Sequence, residues 1–278
     1  MKKMIVDTHT HSTYSFDGQA ELKDMLAAAQ AKGVAFYGVS EHFNYEFDLD
    51  NLLRVDKDEW ERVIAFDVDG YFHGARHLQE DYAGVMNVLI GAEFGFSDDE
   101  AVKAQYAETA RTYNPDFIIN SVHCANGNDY YFYPPQGDKA KVYGEYLALI
   151  RRSLDVPYPY DVVGHIGYVA RYVAYEDKKI DLEMFGTQID DILSTIIAKD
   201  KILEVNTSTK QLPQKTMPDR DILRRYYQLG GRKISFGSDA HDPGRIAEKW
   251  DEVVEMLKNI GFTYITVPCR GEHIKVEI

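Results

Sequence analysis

The feature that most constrains the fold is a recurrence. Short apolar runs of strand length are each closed by an imidazole or a carboxylate, and most are followed by a stretch of helical periodicity. Met4-Ile5-Val6 leads into Asp7-Thr8-His9-Thr10-His11, and Val34-Ala35-Phe36-Tyr37-Gly38-Val39 leads into Ser40-Glu41-His42. Val88-Leu89-Ile90-Gly91-Ala92 ends on Glu93, Phe117-Ile118-Ile119-Asn120-Ser121-Val122 on His123, and Tyr160-Asp161-Val162-Val163-Gly164 on His165. A strand over 233–237 ends on Ser238-Asp239-Ala240-His241. Further strands are expected over 202–206 and 264–267. Apolar residues three and four apart predict helices over 21–32, 98–113, 139–154, 189–198, 219–229 and 246–260. The apolar runs show no strict alternation, as befits strands covered on both faces, so a parallel sheet is expected. Strand then helix, repeated about seven times, fits a closed or distorted (β/α) barrel, with an open doubly wound sheet as the alternative. Neither a GxGxxG turn after the first strand nor a Walker-type loop is present, which counts against nucleotide-binding folds.

In a parallel barrel every strand's carboxyl end opens on the same face. His9, His11, His42, His123, His165 and His241 would gather there, with Asp7, Glu93 and Asp239. In an extended strand Asp7, His9 and His11 share one face, a row of side-chain types that bind zinc, manganese or iron. One histidine past a strand is ordinarily a packed or capped residue. So many together, buried without a metal, would leave a costly excess of unsatisfied nitrogens. They are also too many donors for one ion, which implies two or three divalent metals. Such a cluster activates water and clamps a phosphoryl group, so hydrolysis of a phosphate ester is the natural chemistry. With no nucleophile elbow in the chain, attack by metal-bound hydroxide is preferred to a covalent intermediate.

The bulk properties narrow the partners. With 31 basic and 45 acidic side chains the net charge is −14, which argues against a general nucleic-acid or anionic-membrane surface. No apolar run approaches the ~20 residues of a membrane span, and Met1-Lys2-Lys3 runs straight into a strand instead of a signal-peptide core. Cys124 and Cys269 are expected as free thiols in a reducing cytoplasm. Residues 1–278 are read as one domain, with an insertion at about 44–85 carrying helices over 57–65 and 75–82. His73 and His77 in that insertion are spaced for one helical face, but no strand end accompanies them, and they are read as surface or packing residues. The aromatic segment 126–135 after His123 is read either as a cover over a pocket or as a patch packed on the insertion.

In this order, Asp7-Thr8-His9-Thr10-His11, Ser40-Glu41-His42, Gly91-Ala92-Glu93, Ser121-Val122-His123, Gly164-His165 and Ser238-Asp239-Ala240-His241 resemble the motifs of the polymerase and histidinol phosphatase (PHP) superfamily. The stretch Gly164-His165-Ile166-Gly167 with Arg171 is most similar to its histidinol-phosphatase branch. The resemblance implies a distorted (β/α)7 barrel with a trinuclear site. His9, His11, Glu93 and Asp239 would hold one metal. Glu93, bridging, with His123 and His165 would hold the second, and Asp17, His42 and His241 the third. Asp17 stands where some members carry histidine. Asp7 would orient a ligand from behind, Arg171 would bind phosphate, and Lys210 stands near where relatives carry a second arginine. The implied activity is hydrolysis of L-histidinol phosphate by a metal-bridging hydroxide, with Asp17 or His42 protonating the leaving group and Glu41 facing the substrate's cationic groups. Another phosphoesterase of the superfamily and a non-catalytic metal-binding module are the alternatives.

Overall fold

The computed structural model describes residues 4–47, 66–210 and 212–278. The apolar runs form β1 (Ile5–Asp7), then α1 (Leu22–Ala31), β2 (Val34–Phe43), α2 (Val68–Asp81), β3 (Asn87–Gly95), α3 (Glu100–Tyr113) and β4 (Phe117–Ser121). The short pair β5 (Cys124–Ala125) and β6 (Asn128–Asp129) precedes α4 (Lys139–Ser153) and β7 (Val162–Val163). After them come α5 (Leu182–Ala198), β8 (Ile202–Asn206), α6 (Arg220–Gln228), β9 (Ile234–Gly237), α7 (Trp250–Ile260), β10 (Tyr264–Cys269) and β11 (Glu272–Glu277). Aspartates start many of the helices: Asp67, Asp99, Asp138, Asp181 and Asp219 each accept a hydrogen bond from a first-turn amide. Such caps satisfy donors the helix cannot reach itself.

Seven parallel strands form one sheet in the order β1-β2-β3-β4-β7-β8-β9. Its two edges meet: Thr8 N–H donates to Phe236 O at 3.0 Å, Asp239 N–H to His9 O at 2.8 Å and His11 N–H to Ala240 O at 2.9 Å. The fold is a distorted (β/α)7 barrel. The β2–β3 register sets His42 beside Glu93, so consecutive strands deliver their terminal polar residues to one rim.

Three departures from the expected elements have local causes. The last strand does not join the barrel: β10 pairs antiparallel with β11 in a separate hairpin, turned at Arg270 and Gly271 with φ of 51° and 80°. Two consecutive left-handed residues make the tight turn that hairpins favour. The helix expected from 246 starts only at Trp250, because Ala247 and Lys249 hold φ of 54° and 62°. Helix α5 begins well before 189, where Asp181 caps it. The helix expected over 57–65 lies outside the described residues, and the one expected over 75–82 is α2.

Candidate metal centre

Glu93 is the hub. Its carboxylate, fully buried, lies 2.7 Å from His42 Nδ1, 2.9 Å from His165 Nε2, 3.2 Å from His123 Nε2, 3.4 Å from His9 Nε2 and 3.6 Å from His11 Nε2. Ser121 Oγ donates to it at 2.6 Å, which gives the serine of the Ser-Val-His segment its role. Gly164 is required beside it, since a Cβ there would run into Ser121 Oγ and stand 3.0 Å from Ile119 Cγ2. Asp239 forms a second focus, 3.4 Å from His11 Nε2 and 3.6 Å from His241 Nδ1. Asp17, 39% exposed, completes the rim at 3.0 Å from His241 Nε2 and 3.8 Å from His42 Nε2.

The nitrogens crowd together with few hydrogen bonds among them: His165 Nε2 bonds Glu93 Oε1 at 2.9 Å and His123 Nε2 at 3.3 Å. His9 Nε2, His11 Nε2, His42 Nδ1 and Glu93 Oε2 are buried with no hydrogen-bond partner, although His42 Nδ1 and Glu93 Oε2 are close in distance. Donor atoms aimed at a shared space in this way are what a coordinated cation satisfies. Triplets that converge within 4.8 Å are His9-His11-Glu93, His42-Glu93-His123 and His11-His42-His241. The residues therefore fit divalent metal ions. His11 and His42 each belong to two triplets, which differs from the partition the resemblance implies.

The electrostatics follow from this packing. Burial works against ionisation of Glu93, but the His9, His123 and His42 imidazoles outweigh it and hold its carboxyl well below the usual range. Burial, with His42 and His241 close by, pushes His11 well below an ordinary imidazole. His241 is also penalised by burial, yet the Asp17 carboxylate raises it to about 9.

The side chains behind the cluster correct one expectation and add two residues. Asp7, expected to orient a ligand from behind, is engaged by the loop after β9. Its oxygens accept from Ser238 N at 2.9 Å, Ser238 Oγ at 2.6 Å and Ala247 N at 2.7 Å, so it braces the loop that carries Asp239. That loop needs bracing, because Asp239 sits at φ 52°, a conformation that costs an L-residue about 1 kcal/mol. Glu41, expected at the substrate, is fully buried and absent from the cavity wall. It accepts from Ser12 N and Oγ at 3.0 and 2.5 Å and from Ser15 N and Oγ at 3.0 and 2.5 Å. Four donors leave it no capacity for a ligand. Glu204 orients the cluster instead, with Oε1 2.5 Å from His9 Nδ1 and Oε2 accepting from His165 N at 2.6 Å. Its sequence signal is a carboxylate in the middle of an apolar strand. Glu46 Oε1 lies 3.5 Å from His123 Nδ1, and its Oε2 accepts from Tyr106 OH at 2.5 Å; no sequence periodicity marks it.

A cavity of about 280 Å³ opens over the cluster. His42, His123, His165, Asp239 and His241 line its floor, Arg171, Lys210 and Arg245 one side, and Phe16, Phe47, Tyr131 and Phe132 another. Arg171 is held by Ser208 O and, at 3.2 Å, by Asp239 Oδ2, and its Nε is buried without a partner. Lys210 reaches the cavity from a loop residue at φ 50°. The aromatic segment after His123 meets both of its readings in part: Tyr131 and Phe132 line the cavity, and Phe132 and Tyr133 also pack against the cluster of Phe47 and Cys124. His73 and His77 lie on α2 beside a separate groove with Phe72 and Tyr113.

Comparison with known proteins agrees with this arrangement. The chain is 28% identical over 262 residues to the "Probable histidinol-phosphatase" of Clostridium acetobutylicum, covering 92% of this chain and 94% of that one. It is 28% identical over 269 residues to the histidinol-phosphatase of Lactococcus lactis, covering 94% and 93%. The crystal structure of the Lactococcus lactis histidinol phosphate phosphatase, complexed with zinc, L-histidinol and phosphate, matches with a TM-score of 0.82 at 25% identity over 98% of this chain and 99% of that one. The family model described as PHP domain matches residues 7–208. The chain belongs to the PHP domain family.

Proposed function

We propose that this protein is a histidinol-phosphatase, hydrolysing L-histidinol phosphate to L-histidinol and phosphate in the cytoplasm as part of histidine biosynthesis. The observation that carries the reading is the likeness, along nearly the whole chain, to an enzyme whose structure holds zinc and both products, combined here with a cavity floored by the histidine cluster. His9, His11, Glu93, His123, His165, Asp239, Asp17, His42 and His241 would hold two or three divalent ions, with zinc, manganese and iron as the candidates. Ions bound there supply positive charge for the phosphoryl oxygens and a water acidified enough to attack phosphorus near neutral pH.

The chain's own residues do the rest. Arg171 lines the cavity with its guanidinium anchored by Ser208 O and Asp239; this planar, anchored cation is suited to a phosphate oxyanion. Lys210, exposed on the same side of the cavity, adds charge there. The departing alkoxide needs a proton, and Asp17 or His42, both in the cavity wall, would deliver it directly or through water. An overall charge of −14 suits a small ester that carries cationic groups better than a nucleic acid.

A panel of phosphate esters tests the substrate. L-histidinol phosphate is expected to show the highest kcat/KM, and a value no better than that of generic esters would replace this reading by a phosphatase of another small ester. In the same assay His123→Ala should abolish metal-dependent turnover; full activity in that variant would contradict the site.

A further inference from the structure

We infer that Asp129, set among Phe47, Tyr131, Phe132, Tyr168 and Tyr172, is the specificity subsite for an organic cation on the leaving alcohol. The inference rests on the proposed substrate, whose alcohol carries an amine and an imidazole.

The cavity is polarised around the barrel rim. Its basic residues, Arg171, Lys210 and Arg245, follow β7, β8 and β9, whereas Phe47 follows β2 and Asp129, Tyr131 and Phe132 follow β4. Phosphate and a cation therefore have separate sides. Tyr168 and Tyr172 stand between them, with the Tyr168 ring 5.0 Å from both the Arg171 guanidinium and the His123 ring, and Tyr172 5.9 Å from Tyr131.

Among the carboxylates of the cavity wall, Asp129 is unlike the others. Asp17 lies 3.0 Å from His241, and Asp239 lies 3.4 Å from His11 and 3.2 Å from Arg171. Asp129 is 4% exposed and accepts from Tyr131 N at 2.6 Å, and no lysine, arginine or histidine among the described residues pairs with it. A buried carboxylate with one amide donor is expensive unless a cation completes it. Burial pushes its carboxyl up to about 6, against the nearby His123, whereas Asp17 and Asp239 are held below the usual range by their imidazole neighbours despite burial. Aromatic faces around a carboxylate are how proteins take up ammonium and imidazolium groups. Glu41, the acidic residue of the Ser-Glu-His motif, is occupied elsewhere, which leaves this role to Asp129.

The test is the ratio of kcat/KM for L-histidinol phosphate to kcat/KM for phenyl phosphate, whose leaving group is uncharged. Asp129→Asn should lower this ratio about ten- to a hundredfold, the range of one charge-assisted hydrogen bond, with the change in KM for the cationic ester. Phosphoethanolamine shares the loss if the amine is the ligand, and imidazolylpropyl phosphate shares it if the imidazole is. An unchanged ratio overturns the subsite. Should Asp129→Asn fail to fold, Tyr131→Ala decides: its ring is 53% exposed, and losing a cation-facing ring should lower the ratio about two- to fivefold. No change would again overturn it. The wild-type enzyme separates the two failures. If it does not prefer histidinol phosphate to phenyl phosphate, the proposed substrate falls, and phosphoethanolamine against phenyl phosphate then decides the subsite alone.

Discussion

Single atoms set the limits of this site. Gly237 lies where a Cβ would meet Glu204 Oε1 and stand 2.6 Å from His9 Cβ, so glycine at that strand end is what lets the Glu204–His9 pair close to 2.5 Å. The imidazole is thereby fixed with Nδ1 toward the carboxylate and Nε2 toward the cluster, and the same carboxylate holds the His165 backbone. A carboxylate behind a ligand histidine locks its orientation and raises its basicity, and loss of such a partner costs about ten- to a hundredfold in metal affinity or activity. Glu204→Gln should accordingly lose zinc at a buffered free-metal concentration where the wild type retains it, with a parallel fall in kcat/KM. Elemental analysis after equilibrium dialysis reads the first effect, and wild-type zinc content in the variant would contradict the role. Most of the proposed ligand residues were readable from the sequence because they close apolar runs, whereas Asp17, in the polar stretch after β1, came only from the family resemblance. Glu204, Glu46 and the true partners of Asp7 were not readable, because each acts across a distance in sequence that only packing shortens.

At the scale of elements, Asp116 is the junction that holds the barrel's second quarter together. Only 1% exposed, it accepts from Arg76 Nη1 at 2.6 Å and Gln79 Nε2 at 2.8 Å on α2, from Ile90 N at 2.9 Å on β3, and from Arg270 Nε at 2.7 Å at the tip of the β10–β11 hairpin. Burial disfavours its charge, but Arg76, the Ile90 amide and Arg270 outweigh burial and hold its carboxyl below the usual carboxylate range. A carboxyl held lower in the folded than in the unfolded chain adds stability that is present above the unfolded pKa and disappears as pH falls through the folded one. Asp116→Asn should therefore cost about 2 kcal/mol at pH 7, less than a wholly buried pair because Arg270 is 63% exposed. The gap between variant and wild type should narrow below about pH 4. Urea titrations at both pH values measure it, and a gap independent of pH would sink the assignment. The β/α alternation itself was legible in the sequence, since short apolar runs and helical spacing are local properties. The hairpin was not, because Tyr264–Cys269 is as apolar as a barrel strand and only the Arg270-Gly271 turn betrays its antiparallel partner.

Over the whole molecule, barrel closure and the metal centre are one construction. The hydrogen bonds that join β1 to β9 run through His9, His11, Asp239 and Ala240, so the seam of the barrel is also where the ligand loops meet. The buried His9 and His11 nitrogens of that seam, and the Glu93 oxygen that faces them from β3, are left without hydrogen bonds and destabilise the fold until a cation satisfies them. Removal of metal by chelation should lower Tm on the order of 5–10 °C, the size expected when a ligand present at about a hundred times its Kd is withdrawn. Calorimetry with and without chelator, followed by zinc addition, measures this. A Tm indifferent to both would mean that the cluster contributes nothing to folding.

What the sequence determined by itself was the class of fold, the rim on which chemistry sits and most of the side chains that reach it. Periodicity and strand-end residues are written locally, and a parallel barrel has only one face for its strand ends. Tertiary structure alone decided which carboxylates face ligand and which are consumed inside. Glu41 and Asp129 illustrate the difference. Both are buried acids near a histidine motif, but serine donors saturate the first, while one amide and a wall of aromatic rings leave the second open to the cavity. Hydrogen-bond saturation depends on partners brought from elsewhere in the chain, and no local pattern encodes it.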